Sequence, residues 1–235
     1  MAEPISYNWR RSPRAKVLQV RITPWQGVEV VIPRHTSHER VRAFLTRHRN
    51  WIRDTWRRLR SEMPDPDQRL PASLVLPACG ERWRVRYQRR PGAQVRVTTG
   101  KGQNVTVFHD GRDESAVRRA LRRWLAARAR SVLVPRVERL ARLTGSEYRK
   151  IQIRGQRSRW GSCSSNRTLS LNYKLLFLEP ALVRYLIIHE LSHLRVLDHS
   201  TRFWNVVAQF EPHWRRLDAA LGESWREVPA WVEMP

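Results

Sequence analysis

Two histidines and a glutamate form the densest group of chemically reactive side chains in this 235-residue sequence. His189 and His193 are four positions apart, so on an α-helix they lie on one face, one turn from each other. Two imidazoles in this arrangement can hold one metal ion. Glu190 follows the first histidine and can reach a water molecule beside the ion more easily than the ion itself. The spacing therefore predicts a metal site with an adjacent general base.

His199 is the predicted third ligand. It lies six residues after His193, where a continuing helix would turn its side chain away from the other two histidines. We therefore expect the helix to end and the chain to fold back. Asp198 can form the turn, because aspartate tolerates a left-handed backbone. The alternative third ligands are Glu211 and His213, in the helix that follows.

Three histidine nitrogens with a fourth position open are typical of catalytic zinc. Zinc lowers the pKa of a bound water to about 7 and polarises a carbonyl group. Glu190 is expected to take a proton from the attacking water and deliver it to the leaving amine. The alternative is that His189 and His193 are core histidines satisfied by backbone groups. Three of the eight histidines of the chain lie within eleven residues, which favours shared ligation.

Two helices are predicted in the part of the sequence after about residue 110. The first carries the motif over about 180–197, and its leucines repeat at helical spacing, which indicates packing in the core. The second is predicted over about 113–143, capped by Asp113, closed by Gly145 and kinked or split at Pro135.

The predicted strands lie on both sides of the second helix. Alternation over 15–22 and 28–32, with turn residues between them, predicts a hairpin that precedes a helix over about 37–61. Segments 83–87, 95–97 and 105–108 are predicted to form a small antiparallel sheet. Two further strands are predicted around 151–153 and over 168–175.

Composition narrows the class of protein. The chain has 45 basic and 21 acidic residues and a net charge of +24, but 41% hydrophobic residues exclude a disordered chain. Cys79 and Cys163 are far apart, which excludes a disulfide scaffold and a thiolate zinc finger and indicates the cytoplasm. The longest apolar stretch, over 181–188, is too short to span a membrane, and the first 14 residues lack the apolar core of a secretory signal.

The positive charge also bears on possible partners. Arginine accounts for 41 of the 45 basic residues and is spread along the whole chain, which is more typical of genomic base composition than of a binding face. We expect weak or non-specific binding to nucleic acid at low salt, and no membrane partner.

Beyond the zinc motif, the sequence resembles the YgjP-like metallopeptidase family over nearly the whole chain, from about residue 10 to 215. The resemblance is carried by Arg-Trp-Gly-Ser-Cys-Ser at 159–164, Leu-Ser-Leu-Asn at 169–172, the His-Glu-x-x-His helix, His-Ser at 199–200 and Phe-Trp at 203–204. A looser similarity connects the chain to SprT-like proteases, some of which act on proteins attached to DNA.

The resemblance implies a zincin-like fold, with His189, His193 and His199 as the metal ligands and Glu190 as the general base. Asp198 stands where the family usually has asparagine, which is a mild departure. We therefore predict an α+β, zincin-like protein with a β-rich portion over 1–110 and a helical catalytic portion over 111–235, together forming one continuous unit.

Three further residues are predicted to contact the substrate. Arg159 is expected to stabilise an oxyanion or hold a substrate carboxylate. Asn172 and Tyr173 lie on the predicted strand before the motif helix, and in zincins an edge strand there binds the substrate backbone by strand addition. Cys163 is predicted to be a small buried residue in a tight turn, the alternative being a regulatory metal ligand.

The predicted function is zinc-dependent hydrolysis of peptide bonds in polypeptides, in the cytoplasm. One alternative is a DNA-associated SprT-like protease or a nucleic-acid-binding protein with a zinc site. The other is a zinc-stabilised binding module without turnover, which Glu190 disfavours because a purely structural site does not need it.

Overall fold

The structure is a computed structural model that describes residues 5, 7–13, 15, 17–23, 27–61, 70–92 and 94–234. The chain divides into two compact units, Met1–Gln68 and Arg69–Pro235. The division predicted from the sequence, between residues 110 and 111, falls inside the second unit, between a strand and a helix that contact each other.

The first unit contains a three-stranded sheet and one helix. Its elements are β1 (Tyr7–Ser12), β2 (Gln19–Thr23), β3 (Gly27–Pro33) and α1 (His38–Ser61). β2 and β3 pair antiparallel, which confirms the predicted hairpin, although turn residues 24–26 lie outside the described residues. β1 pairs parallel with β3. The Ser37 hydroxyl accepts a hydrogen bond from the Arg40 backbone N–H at 3.3 Å, so Ser37 caps the helix.

The second unit contains two sheets and several helices. Its strands are β4 (Ser73–Leu76), β5 (Glu81–Arg89), β6 (Arg96–Gly100), β7 (Asn104–His109), β8 (Lys150–Arg154), β9 (Gly161–Cys163) and β10 (Thr168–Asn172). Its α-helices are α2 (Glu114–Thr144), α3 (Pro180–Ser192), α4 (Thr201–Ala208), α5 (Trp214–Glu223) and α6 (Ala230–Glu233). Short 3-10 helices are Pro77–Cys79, Tyr173–Phe177 and Ser224–Glu227.

The first sheet of this unit has the strand order β4-β5-β7-β6. β5 and β7 run parallel, so the prediction of a purely antiparallel sheet is wrong. β6 occupies the edge and pairs antiparallel with β7, so β7 lies between β5 and β6. Alternation identifies the buried face of a strand but not the direction of its neighbour, which explains the error.

α2 runs between the two sheets in the sequence and confirms both predicted caps. The Asp113 carboxylate accepts a hydrogen bond from the Ala116 N–H at 2.9 Å, and Gly145 is left-handed with a φ of 62°. The helix continues through Pro135, so the split that was predicted as one alternative does not occur. Leu133 and Val137, on either side of the proline, are fully buried, and this packing outweighs the cost of about 3 kcal/mol of an internal proline.

α3 follows the second sheet, whose order is β8-β10-β9. Apolar residues of α3 and of β10 belong to the same hydrophobic core, which fixes the helix against the sheet. The helix ends at Ser192, five residues before the predicted end at about Leu197. The α+β class with a helical C-terminal portion is confirmed. None of the described helices is both long enough and apolar enough to cross a membrane.

Candidate metal centre

The three predicted histidines come together at the end of α3. One ring nitrogen from each of His189, His193 and His199 lies within 4.8 Å of the others. The Nε2 atoms of His189 and His199 are 3.1 Å apart. Two nitrogens bound to one tetrahedral zinc, each at about 2.0 to 2.1 Å, are separated by about 3.3 Å. The spacing of the two rings therefore suits a shared ion.

The chain folds back after α3, as the spacing of His199 required. Asp198 does not use a left-handed backbone for this turn, because Gln103 and Arg167 are the non-glycine residues with positive φ in the described part of the chain. The Asp198 carboxylate instead accepts a hydrogen bond from the Ser200 N–H at 3.1 Å. This contact closes the turn before α4, which begins at Thr201. Asp198 therefore lies in the turn as predicted, but with a different backbone conformation.

The ring of His193 is oriented by the backbone. Its Nδ1 lies 3.1 Å from the carbonyl oxygen of Val196. A carbonyl can only accept, so Nδ1 carries the proton, and Nε2 keeps a lone pair available for a metal ion.

The ring of His189 is oriented by a chain of two side chains. The Tyr185 hydroxyl donates to Asp218 Oδ1 at 2.7 Å. The tyrosine oxygen is then left to accept a hydrogen bond from His189 Nδ1, 3.4 Å away, so Nε2 of His189 also keeps a lone pair. Burial, followed by the hydrogen bond to Asp218, raises the pKa of Tyr185 and keeps the hydroxyl protonated.

The sequence reasoning missed both of these residues. Tyr185 precedes His189 by four positions, so helical spacing was a signal that could have found it. Asp218 lies on α5, and nothing in the local sequence indicated that this helix would approach the site.

His189 and His193 are neutral, which is the form that binds a metal ion. Burial, reinforced by the other two histidines, lowers the pKa of His189 to about 3. Burial also lowers the pKa of His193.

Phe203 of α4 is fully buried and packs against all three rings, with centroid distances of 4.9, 4.4 and 4.8 Å to His189, His193 and His199. The three rings therefore share one apolar support.

Glu190 is buried beside this group. Its Oε2 atom has no hydrogen-bond partner among the residues that the structure describes. Burial raises the pKa of the Glu190 carboxyl to about 8, and the positive charge of Arg159 opposes this rise. A Cβ added at Gly161 would lie 2.6 Å from Glu190 Oε1, so the backbone of β9 packs directly against the carboxylate. A buried polar atom without a partner is rare in native proteins and indicates a water, ion or substrate group as its partner.

The predicted substrate contacts are placed differently. β10 is the middle strand of its sheet and β9 is the edge, so the prediction that Asn172 and Tyr173 offer a strand edge is wrong. Asn172 is fully buried, and its side-chain amide donates to the carbonyl oxygens of Gln156 and Arg159, at 2.8 and 3.0 Å. Tyr173 is buried in a 3-10 helix. Arg159 is exposed, and its positive charge is close enough to lower the pKa of Glu190.

The alternative ligands lie outside the histidine cluster. Glu211 Oε1 is 2.6 Å from Arg184 Nε, so its carboxylate already has a cationic partner. His213 is exposed at the start of α5.

Burial, followed by the charge of Glu190, raises the pKa of the half-buried Cys163 to about 11, so this residue is a protonated thiol at neutral pH. In the described part of the chain, the group of potential ligand atoms contains the three histidines and not Cys163, which favours a packing role for this residue.

Two solved structures are similar to part of the chain. The metallopeptidase zymogen of abylysin from Pyrococcus abyssi is 24% identical in sequence, and the match covers 37% of this chain and 90% of that chain with a TM-score of 0.35. The metallopeptidase zymogen of jannalysin from Methanocaldococcus jannaschii is 21% identical, with coverage of 37% and 91% and a TM-score of 0.34. No curated protein is detectably similar to the chain in sequence.

The family comparison covers far more of the molecule. Residues 16–224 match the YgjP-like metallopeptidase domain, and this range includes most of both units and the three histidines of the candidate metal centre. The match confirms the resemblance found in the sequence, and it implies a metal-dependent peptidase that acts on polypeptides. The chain therefore belongs to the YgjP-like metallopeptidase family.

Proposed function

We propose that the protein is a zinc-dependent peptidase in which His189, His193 and His199 hold the metal and Glu190 is the general base. The observation that carries this proposal is the group of three imidazoles beside a buried carboxylate whose Oε2 has no partner among the described residues. Bound zinc would acidify a water molecule and polarise the peptide carbonyl.

Glu190 performs the proton transfers. Its Oε2 atom takes a proton from the attacking water and later delivers it to the nitrogen of the leaving amine. Burial raises the pKa of this carboxyl, and the positive charge of a bound zinc would lower it, so the group can both accept and release a proton. Arg159, exposed beside Glu190, is available to hold a carboxylate or an oxyanion of the substrate.

The substrate backbone lies along β9. This strand pairs with β10 on one side, is the edge of its sheet, and packs through Gly161 against Glu190. A polypeptide that pairs with the free edge of β9 passes the carboxylate with its amide groups held in an extended form. Asn172 acts indirectly, because its amide holds the backbone of the segment that carries Arg159.

A zinc-stabilised binding module without turnover is the main alternative. In such a module the buried Glu190 carboxylate would have no role, and leaving its Oε2 without a hydrogen bond would only lower the stability of the fold. The free thiols of Cys79 and Cys163 support the cytoplasm as the compartment in which the peptidase acts.

The test is the Glu190→Gln variant, loaded with zinc and assayed on a casein-type substrate. The amide keeps the shape of the side chain but cannot act as a base, so kcat/KM should fall by at least about a hundredfold while zinc content stays at the parent value. Glu179→Gln is the matched control, because Glu179 is exposed just before α3 and lies outside the site. Cleavage by Glu190→Gln at the parent rate would contradict the assignment of the base.

A further inference from the structure

The four-stranded sheet of the second unit has a buried face and an open face. On β5, the side chains of Trp83 and Val85 are buried with the core residues of α2. Arg82, Arg84 and Arg86 alternate with them and are exposed. Because successive side chains of a strand point to opposite faces, the three arginine side chains share the open face, and their Cα atoms are about 7 Å from one to the next.

Neighbouring strands extend this face. Arg84 and Arg86 lie beside Asn104 and Thr106 of β7, since directly paired residues point to the same side. Phe108 lies further along β7, opposite Arg96 of the edge strand β6. The open face therefore combines guanidinium groups, small hydrogen-bonding side chains and one aromatic ring.

Carboxylates of the four strands are absent from the open face. Glu81 is the one acidic residue between positions 73 and 109 of the sequence. Its side chain points to the buried side, where it accepts hydrogen bonds from Trp83 Nε1 at 2.7 Å and from Arg128 Nε of α2 at 2.9 Å. In the described part of the chain, Arg82, Arg84 and Arg86 make no ion pair, so their charge is available to a partner.

Phe108 adds a stacking platform. The guanidinium groups of Arg90 and Arg96 lie over its ring, 4.4 and 5.1 Å from the centroid. Guanidinium planes and nucleic-acid bases stack on aromatic rings in the same way, so an unpaired base can join this stack or replace one guanidinium in it.

We propose that the open face of the sheet β4-β5-β7-β6 binds single-stranded nucleic acid. The arginines of β5 contact successive phosphates, Phe108 stacks on a base, and Asn104 and Thr106 hydrogen-bond to sugars or base edges. A single strand fits better than a duplex, because paired bases are not free to stack on Phe108. An acidic polypeptide would pair with the arginines, but its carboxylates would not stack on Phe108 between Arg90 and Arg96. The proposal is independent of the peptidase activity.

The decisive measurement is binding of a fluorescently labelled 20-nucleotide oligo-dT to the full chain, as a function of salt. The variant Arg82→Gln/Arg84→Gln/Arg86→Gln removes three charges of the face and keeps long polar side chains. The matched control, Arg123→Gln/Arg130→Gln/Arg139→Gln, removes three charges from exposed positions of α2. At about 150 mM salt the sheet variant should bind at least about tenfold more weakly than the control, and its log–log salt slope should be smaller by about 2, since each phosphate contact contributes about 0.7.

Phe108→Leu separates stacking from charge. Leucine keeps an apolar side chain at this position but offers no aromatic face. Affinity for oligo-dT should fall by about fivefold or more, as expected for the loss of one stacked base, while the salt slope stays at the parent value.

Four results would overturn the proposal. The first is no binding of oligo-dT by the parent chain at 150 mM salt. The second is equal weakening by the two triple variants, which would show general attraction to a basic protein. Equal affinity for duplex and single strand would exclude the role of unpaired bases. Displacement of oligo-dT by polyglutamate at the same charge concentration would assign the face to acidic proteins instead.

Discussion

The candidate metal centre and the open face of the four-stranded sheet differ in how their polar side chains are held. In the metal centre, His189 and His193 are each fixed through Nδ1 by a hydrogen-bond partner of their own. On the sheet, Arg82, Arg84 and Arg86 are exposed, and no ion pair fixes them in the described part of the chain. Groups that must meet an ion at a set geometry are oriented in advance, whereas groups that attract a flexible polyanion keep their rotamer freedom.

The largest effect is expected at His199, the proposed ligand for which the sequence left Glu211 and His213 as alternatives. His199→Ala should lower zinc affinity by more than about a hundredfold, since losing a direct ligand exceeds the loss from an outer partner. Zinc content after dialysis against a chelator measures this. Glu211→Ala is the control and should retain zinc, because the Glu211 carboxylate is paired with Arg184. Zinc retained by His199→Ala and lost from Glu211→Ala would reverse the assignment.

A smaller but still large effect is expected from crowding Glu190. Gly161→Ala places a methyl group 2.6 Å from Glu190 Oε1 and 2.9 Å from its Cγ, so the carboxylate must move. Displacing a catalytic group by about 1 Å can lower the rate by about a hundredfold, and we expect that loss in kcat with zinc content unchanged.

Gly222→Ala supplies the matched control, because a Cβ at Gly222 meets nothing within 4 Å. It should leave kcat at the parent value. Parental kcat in Gly161→Ala would show that the position of Glu190 is not limiting.

An intermediate effect is expected from the side chains that orient His189. Tyr185→Phe keeps the buried ring but removes the hydroxyl between His189 and Asp218, so zinc affinity should fall by about tenfold. Competition with a fluorescent zinc indicator measures the affinity, and Asp218→Asn, which can still accept from the tyrosine, should have a weaker effect. If the two variants lower only the thermal stability of the metal-free protein and bind zinc normally, Tyr185 and Asp218 do not orient His189.

The smallest effect is expected on the open face of the sheet. Arg84→Gln should change the free energy of unfolding by less than about 0.5 kcal/mol, because Arg84 is exposed and makes no ion pair in the described part of the chain. Arg128→Gln, on the buried side of the same sheet, should destabilise by about 1 to 3 kcal/mol, since it leaves Glu81 without its cationic partner. Urea denaturation compares the two. Equal destabilisation would mean that the two faces do not differ as described.

Features set by local sequence were predictable. The caps at Asp113 and Gly145 depend on a few neighbouring residues, and the meeting of His189 with His193 follows from helical spacing. Features set by contacts between distant segments were not. The parallel pairing of β5 with β7 is one, and the central position of β10 is another. The continuation of α2 through Pro135 without a split is a third, because packing by Leu133 and Val137 overrides the tendency of proline to end a helix.

The site itself shows the same division. The proposed ligands and Glu190 lie in one short stretch of sequence, so their spacing could be read directly. Asp218 and the edge strand β9 reach the site through tertiary packing, which no local pattern encodes.

The closeness of the three imidazoles along the chain also affects how an ion would influence unfolding. Bringing His189 and His199 together closes a loop of only about ten residues, and the entropy of loop closure is smallest for short loops. A chain that has lost its tertiary packing thus still keeps potential ligands near each other and retains some affinity for the ion. Binding to the denatured chain subtracts from the stabilisation that a ligand gives the native one, so the metal should raise the melting temperature less than its tight binding to the folded protein would imply.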